Sequence, residues 1–323
     1  MIDRKASQSP NLAKEAKNHG AIQPKYAFFN GEIVPYAEAK VHVMAPAIKY
    51  GAAVYEGIRA YWNTDQEQLY LFRLMEHSKR LLNSIKAMRM ESSFTFDDLN
   101  QAVIRVLKAN EFHQDLHIRQ CVFVDGDGPV GAIGPVGIYV VALPKGRFSR
   151  PEGMNLCVSS WTRISDSAMP PRIKCCANYQ NGRLAQLQAE VDGYDAPLML
   201  DSQGKVTEAP TASFFLVRDG IPLTCPLTSS ILESITRATI IQLFKEVHHL
   251  EVVQREIDRT ELYIADEAFL CGSAAEIAAV VSIDRHKLGD GQIGPVTKAI
   301  QKTYFDIVRG IDPAHSEWRT PIY

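Results

Sequence analysis

"MPPRIKCCANYQNGRLAQLQAEVDGYDAPLMLDSQGKVTEAP", residues 169–210, sets one lysine, Lys174, between apolar and thiol neighbours. Lysine is rarely buried unless it is paired or performs chemistry. The polar run after it turns helical in pattern over "GRLAQLQAEVDGY" (182–194). The strand pattern "APLMLD" (196–201) and the turn "VTEAP" (206–210) close the stretch. Taken alone, these residues read as a lysine at the surface end of a strand.

Toward the N-terminus the pattern alternates between the strand period of two and the helix period of 3.6. "YAFFNGEIVPY" (26–36) places apolar runs on both sides of Asn30-Gly31, a strong hairpin signal. "AAVYEGIRAYW" (52–62) and "QLYLFRL" (68–74) predict strands. "LMEHSKRLLNSIKAMRM" (74–90) predicts a helix, with Leu74, Leu81, Leu82, Ile85 and Met88 near helical spacing, and "FDDLNQAVIRVLKAN" (96–110) predicts a second. "HIRQCVFV" (117–124) and "GIYVVALP" (137–144) predict strands around "DGDGPVGAIGPVG" (125–137). That glycine-rich segment reads as a hairpin loop. A dinucleotide fingerprint would open a helix, and here a second strand follows.

"PKGRFSRPEG" (144–153), rich in Pro, Gly and basic residues, reads as an interdomain linker. Beyond the lysine stretch, "ASFFLVRDG" (212–220) predicts a strand. "SITRATIIQLFKEV" (234–247) predicts a helix with Ser234 as N-cap and Ile240, Leu243, Phe244 and Val247 on one face. "DEAFLCGSAAEIAAVVSID" (266–284) reads as two strands joined by a turn of small residues, and "GPVTKAIQKTYFDIVRG" (294–310) as a closing helix. The fold class is therefore α+β. The expected division is an N-terminal extension (1–24), a small α/β domain (25–143), a linker (144–154) and a larger domain (155–323).

The 323 residues suit two domains, and 46% hydrophobic with 22% charged content is ordinary for a globular chain. A formal net charge of −2 offers no electrostatic footprint for nucleic acid or an anionic membrane. No apolar run approaches the ~20 residues of a membrane span. The six cysteines lack C-x-x-C spacing, which argues against a metal site. Without a secretory signal they read as reduced thiols of a cytoplasmic protein. The polar residues 1–24 read as a tail; Asp3 and Glu15 speak against a mitochondrial presequence.

"KVHVMAPAIKYGAAVYEGIRAYW" (40–62) followed by "LFRLMEHSKRLLNSIKAMRM" (71–90) resembles the opening of a class IV, fold-type IV pyridoxal-phosphate aminotransferase, most closely a branched-chain amino-acid aminotransferase. Later blocks agree in order: "HIRQCVFV", "IKCCANYQNG", "DSQGKVTEAPTASFFLVRDG", "LTSSILESITRATII", "LYIADEAFLCGSAAEI" and "IGPVTKAIQ". Together they run from about Tyr26 to about Gly310. "EGIR" is the branched-chain form, set apart from D-amino-acid transaminases and aminodeoxychorismate lyases of the same fold.

The resemblance implies pyridoxal phosphate, set between the two domains, and a role for each matching residue. Lys174 is the Schiff-base lysine and then the proton carrier between substrate Cα and the cofactor. An amine must be neutral to attack an aldehyde, and apolar surroundings favour that form. Glu208 partners the pyridine nitrogen and Tyr179 the ring hydroxyl. Arg80 grips the phosphate in bidentate fashion, with the amides of Ile235 and Thr236 at a helix N-terminus and the Ser273–Ala274 turn beside it. Tyr50, Tyr55 and Arg59 line the substrate pocket from the small domain, His117 sits at the family's tyrosine position, Ala274 serves the α-carboxylate, and Arg119 binds the distal carboxylate of glutamate or 2-oxoglutarate. The implied reaction is ping-pong transfer between branched-chain L-amino acids and 2-oxoglutarate, by at least a homodimer.

Three departures qualify the match: His117 replaces a tyrosine, "APTASFF" (209–215) replaces a glycine-rich run ending Asn-Leu-Phe, and Glu233-Ser234 replaces Pro-Gly. Amine or specialised-metabolite transamination is the alternative on the same scaffold. An aminodeoxychorismate-type lyase and a non-enzymatic binding protein lie further off.

Overall fold

The structure, a computed structural model, describes residues 23–147 and 150–323; the tail expected over 1–24 falls almost wholly outside the described residues. The first antiparallel sheet is built from β1 (Tyr26–Phe29), β2 (Glu32–Pro35), β3 (Ala53–Asn63), β4 (Gln68–Phe72), β5 (Leu116–Val124) and β6 (Val136–Pro144). Asn30 and Gly31 turn the β1–β2 hairpin with φ of 46° and 99°, the left-handed region that this dipeptide tolerates. The glycine-rich segment joins the antiparallel neighbours β5 and β6, as a hairpin loop should. Helices α2 (Leu74–Ala87) and α3 (Phe96–Asn110) cover one face, burying Leu81, Ile85, Leu99, Val103 and Val106 against Ile58, Leu71 and Ile118. A short helix, α1 (Pro46–Tyr50), precedes β3.

Helix α3 starts with a reciprocal cap. Thr95 Oγ1 accepts from the Asp98 amide at 3.2 Å, and Asp98 Oδ2 accepts from the Thr95 amide at 2.8 Å. Thr95→Ala should cost about 1 kcal/mol. A urea midpoint lowered with unchanged slope and unchanged activity is the expected reading.

The second sheet runs β12-β11-β10-β13-β14-β7-β8, from strands β7 (Met154–Val158), β8 (Ala196–Leu198), β10 (Ala212–Arg218), β11 (Ile221–Thr224), β12 (Val253–Gln254), β13 (Glu267–Gly272) and β14 (Glu276–Ile283). Two short pieces, β9 (Glu208–Ala209) on β10 and β15 (His286–Lys287) on β14, complete it. β10 is buried on both faces, which explains its unbroken apolar run: Phe214 and Leu216 enter one core, Phe215 the other. That second core lies under α5 (Ile235–Glu246) and α6 (Pro295–Val308) and reaches Tyr61 and Phe72 of the first sheet. Ser234 caps α5 as expected, accepting from the Arg237 amide at 3.2 Å. Ile240, Leu243 and Phe244 are buried, but Val247 is 43% exposed. The helix ends at Glu246, so Val247 falls beyond the face it was expected to share.

Two boundaries differ from the sequence pattern. Helix α4 (Tyr179–Val191) begins three residues before the expected Gly182. The Asn178 amide group donates to the Pro170 and Ile173 carbonyls at 2.9 and 3.0 Å and turns the chain early. Near the C-terminus, β16 (Arg319–Pro321) pairs with β4, so the end of the chain returns to the first sheet.

Candidate active site

A cavity of about 190 Å³ opens between the two sheets, lined by both. Residues two apart on a strand share a face. Tyr55 and Gly57 of β3 and His117 and Arg119 of β5 therefore meet the cavity together. Gly57 leaves room for the ring opposite: a Cβ there would lie 3.0 Å from His117 and press it aside.

The lysine segment reaches the first sheet where β4 stops short of the start of β3. The Tyr55 amide donates to the Lys174 carbonyl at 3.0 Å, and Val54 bridges Cys175. The Lys174 amide donates to Ser84 Oγ at 3.3 Å. With its backbone held on two sides, Lys174 points Nζ into the cavity and donates to the Tyr179 hydroxyl at 2.6 Å, over the rings of Tyr55 and Tyr179. Tyr179 reaches this place because α4 starts early.

Glu208, 4% exposed, accepts from Arg163 Nη2 at 2.7 Å and from the Leu232 amide at 3.1 Å. Both bonds fall on Oε1, which leaves Oε2 for another donor. Burial pushes the Glu208 carboxyl up against the opposing pull of Arg163. Ile235, Ser273 and Ala274 also line the cavity. Among the described residues, no acceptor is recorded for the Ile235 and Thr236 amides at the α5 N-terminus. Thr236 is buried and is not among the residues that line the cavity.

Three expectations change. The fork of Arg80 is already occupied: Nε donates to Glu56 Oε1 at 2.7 Å, Nη2 to Glu56 Oε2 at 2.6 Å and Nη1 to the Glu233 carbonyl at 2.8 Å. Arg80 lines the cavity with its Nε/Nη2 side spent on Glu56, so an incoming phosphate meets at most the two N–H groups that remain of its five, one on each Nη. The reason is Glu56, fully buried beneath it. Burial alone would raise that carboxyl; Arg80 and His77 hold it down at about 2.

Arg59 has the parity of the cavity face but does not line it. At 1% exposure it donates to Glu276 Oε1 at 3.1 Å and to the Lys145 carbonyl at 2.8 Å, a buried tie between the sheets. Tyr50 closes α1 at the surface, 46% exposed and outside the cavity of its own chain.

Arg119 reaches the cavity without a carboxylate partner among the described residues. It donates Nε to the Tyr139 hydroxyl at 3.1 Å and Nη2 to Cys176 Sγ at 3.4 Å, and it stacks 3.8 Å over Tyr55. Asp115, its acidic neighbour in sequence, is taken by Arg309. His117 is pushed down to about 3 by burial, then by Lys145, Arg59, Lys174 and Arg119, so it faces the cavity as a neutral imidazole. Sequence reasoning missed Arg163, Glu56 and His77. Their partners lie 21 to 45 residues away, beyond any local period.

The profile of the class IV aminotransferases ("Amino-transferase class IV") matches residues 53–283. The chain belongs to the class IV aminotransferases. A "Probable branched-chain-amino-acid aminotransferase" of Aquifex aeolicus is 39% identical over 303 residues, covering 92% of this chain and 97% of the relative. The pyridoxal-phosphate form of the branched-chain amino acid aminotransferase of Thermobaculum terrenum superposes with a TM-score of 0.87 at 41% identity, over 93% of this chain and 99% of that one. The branched-chain aminotransferase of the thermophilic archaeon Thermoproteus uzoniensis, solved with norvaline, gives 0.89 at 38% identity, over 93% and 100%. This class IV aminotransferase is an enzyme whose cofactor is pyridoxal phosphate. The cavity fits that group: Lys174 offers an amine, Glu208 a free carboxylate oxygen, and Ile235 at the α5 N-terminus an amide for a phosphate.

Proposed function

We propose that the chain transfers the amino group of branched-chain L-amino acids to 2-oxoglutarate. Arg119 carries this reading: a guanidinium with no carboxylate partner among the described residues, in a cavity that Tyr55 and Ile173 also line. An aliphatic side chain packs on such walls, and a distal carboxylate takes the guanidinium, so one pocket serves both substrates.

When bound, pyridoxal phosphate supplies an aldehyde for the amine and a ring that draws electrons from the substrate Cα. Lys174 Nζ would hold the cofactor through that aldehyde and, once free, would move the proton at Cα. Tyr179 would hold the ring hydroxyl, Glu208 Oε2 the ring nitrogen, and the amides of Ile235 and Thr236 the phosphate, with Ser273 and the remaining N–H groups of Arg80 assisting. His117 and Ala274 border the substrate carboxylates. Residues 25–143 and 155–323 then act as two units with the cofactor between them, linked through 144–154. Six free thiols suit the reducing cytoplasm.

Val43, Met44, Ile48 and Tyr50 are exposed together around α1, and we read that face as the contact with a second copy, which brings Tyr50 to the other site. Ile48→Asp would bury an unpaired charge there and should weaken the dimer about tenfold or more, measured by sedimentation. A parent chain that sediments as a monomer would remove the contact.

A half-reaction screen tests the function. Single amino acids and amines are added to the loaded enzyme while the cofactor spectrum is followed from aldehyde to amine form. Leucine, isoleucine, valine and glutamate should all convert it. Conversion by simple amines alone would transfer the reading to amine transamination, and elimination in place of transfer would transfer it to a lyase.

A further inference from the structure

We propose that Arg163, which borders the same cavity, is the positioning residue that keeps the ring-nitrogen proton on the cofactor, by acting through Glu208 Oε1. This rests on the reading of Glu208 as the partner of the pyridine nitrogen.

Arg163 lies in the loop after β7, its amide donating to the Leu200 carbonyl at 2.8 Å. Its side chain is 7% exposed and its one carboxylate partner among the described residues is Glu208, at 2.7 Å. Nε of Arg163 is buried without a hydrogen bond among the described residues. A guanidinium does not lose its proton in a protein. A permanent buried cation with so few bonds is therefore balanced by Glu208.

The carboxylate is used from two sides. Arg163 and the Leu232 amide meet at Oε1, which fixes the plane of the group, while Oε2 is left for the cavity. Burial favours the neutral acid at Glu208, and the charges that oppose it are Arg163 first and then Lys174. A proton shared between a carboxylate and a pyridine nitrogen settles on the more basic partner. A guanidinium bonded to the other carboxylate oxygen makes the carboxylate the weaker base, so the proton stays on the ring and the ring draws electrons strongly from Cα. Without that cation, the buried carboxyl keeps the proton itself.

Arg163 has a plain structural alternative, an ion pair that only closes the loop. The test separates them by loading the parent, Glu208→Gln, Arg163→Met, Arg163→Gln and Arg163→Lys enzymes with pyridoxal phosphate labelled with ¹⁵N in the ring. The parent should give the protonated-nitrogen shift, and Glu208→Gln should lose it. Arg163→Met should lose it too although Glu208 is intact, with Cα-proton exchange at saturating amino acid slowed about tenfold or more and KM changed less. Arg163→Lys should restore both. If Arg163→Met does not fold, Arg163→Gln, which keeps a donor on Glu208 without the charge, replaces it with the same expectation. A parent-like ¹⁵N shift in the neutral Arg163 variant overturns the proposal while Glu208→Gln still loses the signal. A parent-like shift in Glu208→Gln overturns the underlying reading of Glu208, and the proposal falls with it.

Discussion

Lys174→Ala should fold normally and lose transamination by about 10³-fold or more, since proton transfer by a positioned side chain alone contributes about 10²–10⁴. Lys174 is the one lysine among the cavity-lining residues. Its Nζ makes a single hydrogen bond, to Tyr179, while its backbone carries the contacts that hold the segment against β3 and α2. Alanine keeps those backbone contacts, so the loss is chemical. Borohydride treatment of the parent with pyridoxal phosphate, followed by peptide mapping, should place a pyridoxyl group on Lys174. A label on a different lysine would end the assignment. A surface lysine at a strand end, which the stretch suggests on its own, would leave activity intact after substitution.

Arg119→Leu separates the two substrate classes. Glutamate and 2-oxoglutarate should lose about 30-fold or more in kcat/KM, because leaving one partner of a desolvated charge pair alone costs about 2 kcal/mol or more and about 1.4 kcal/mol is tenfold. Leucine and valine make no ion pair with Arg119 and should change little. Were Arg119 a structural group paired with Asp115, both classes would fall together through lost stability. Arg309 holds Asp115, and among the described residues the partners of Arg119 are a hydroxyl, a thiol and an aromatic face. The deciding quantity is the glutamate-to-leucine ratio of half-reaction rates in parent and variant. An unchanged ratio takes Arg119 out of the substrate site.

Most elements of the fold were legible in sequence because their causes are local. The Asn30-Gly31 hairpin, the Ser234 cap of α5, the apolar run of β10 and the glycine-rich loop between β5 and β6 each follow from a few adjacent residues. Ordered blocks added the family, which residue spacing alone did not reach. Lys174, Tyr179, Glu208 and Arg119 all line one cavity.

Tertiary structure alone decided what each charged side chain meets. Arg80 and Arg59 both read as site arginines; one spends its fork on Glu56, and the other is closed off by Glu276, 217 residues away. Arg163 carried no signal at all, and its meaning comes from Glu208, 45 residues on. Tyr50 matches a pocket position yet stands at the surface, outside the cavity of its own chain. The physical reason is common to the three arginines. A hydrophobic period records which face of an element is buried, and side-chain types within one turn record how the element starts and stops. A long charged side chain takes its partner from whichever strand the packing of two sheets brings within about 3 Å, and that distance is not written in any one segment of the chain.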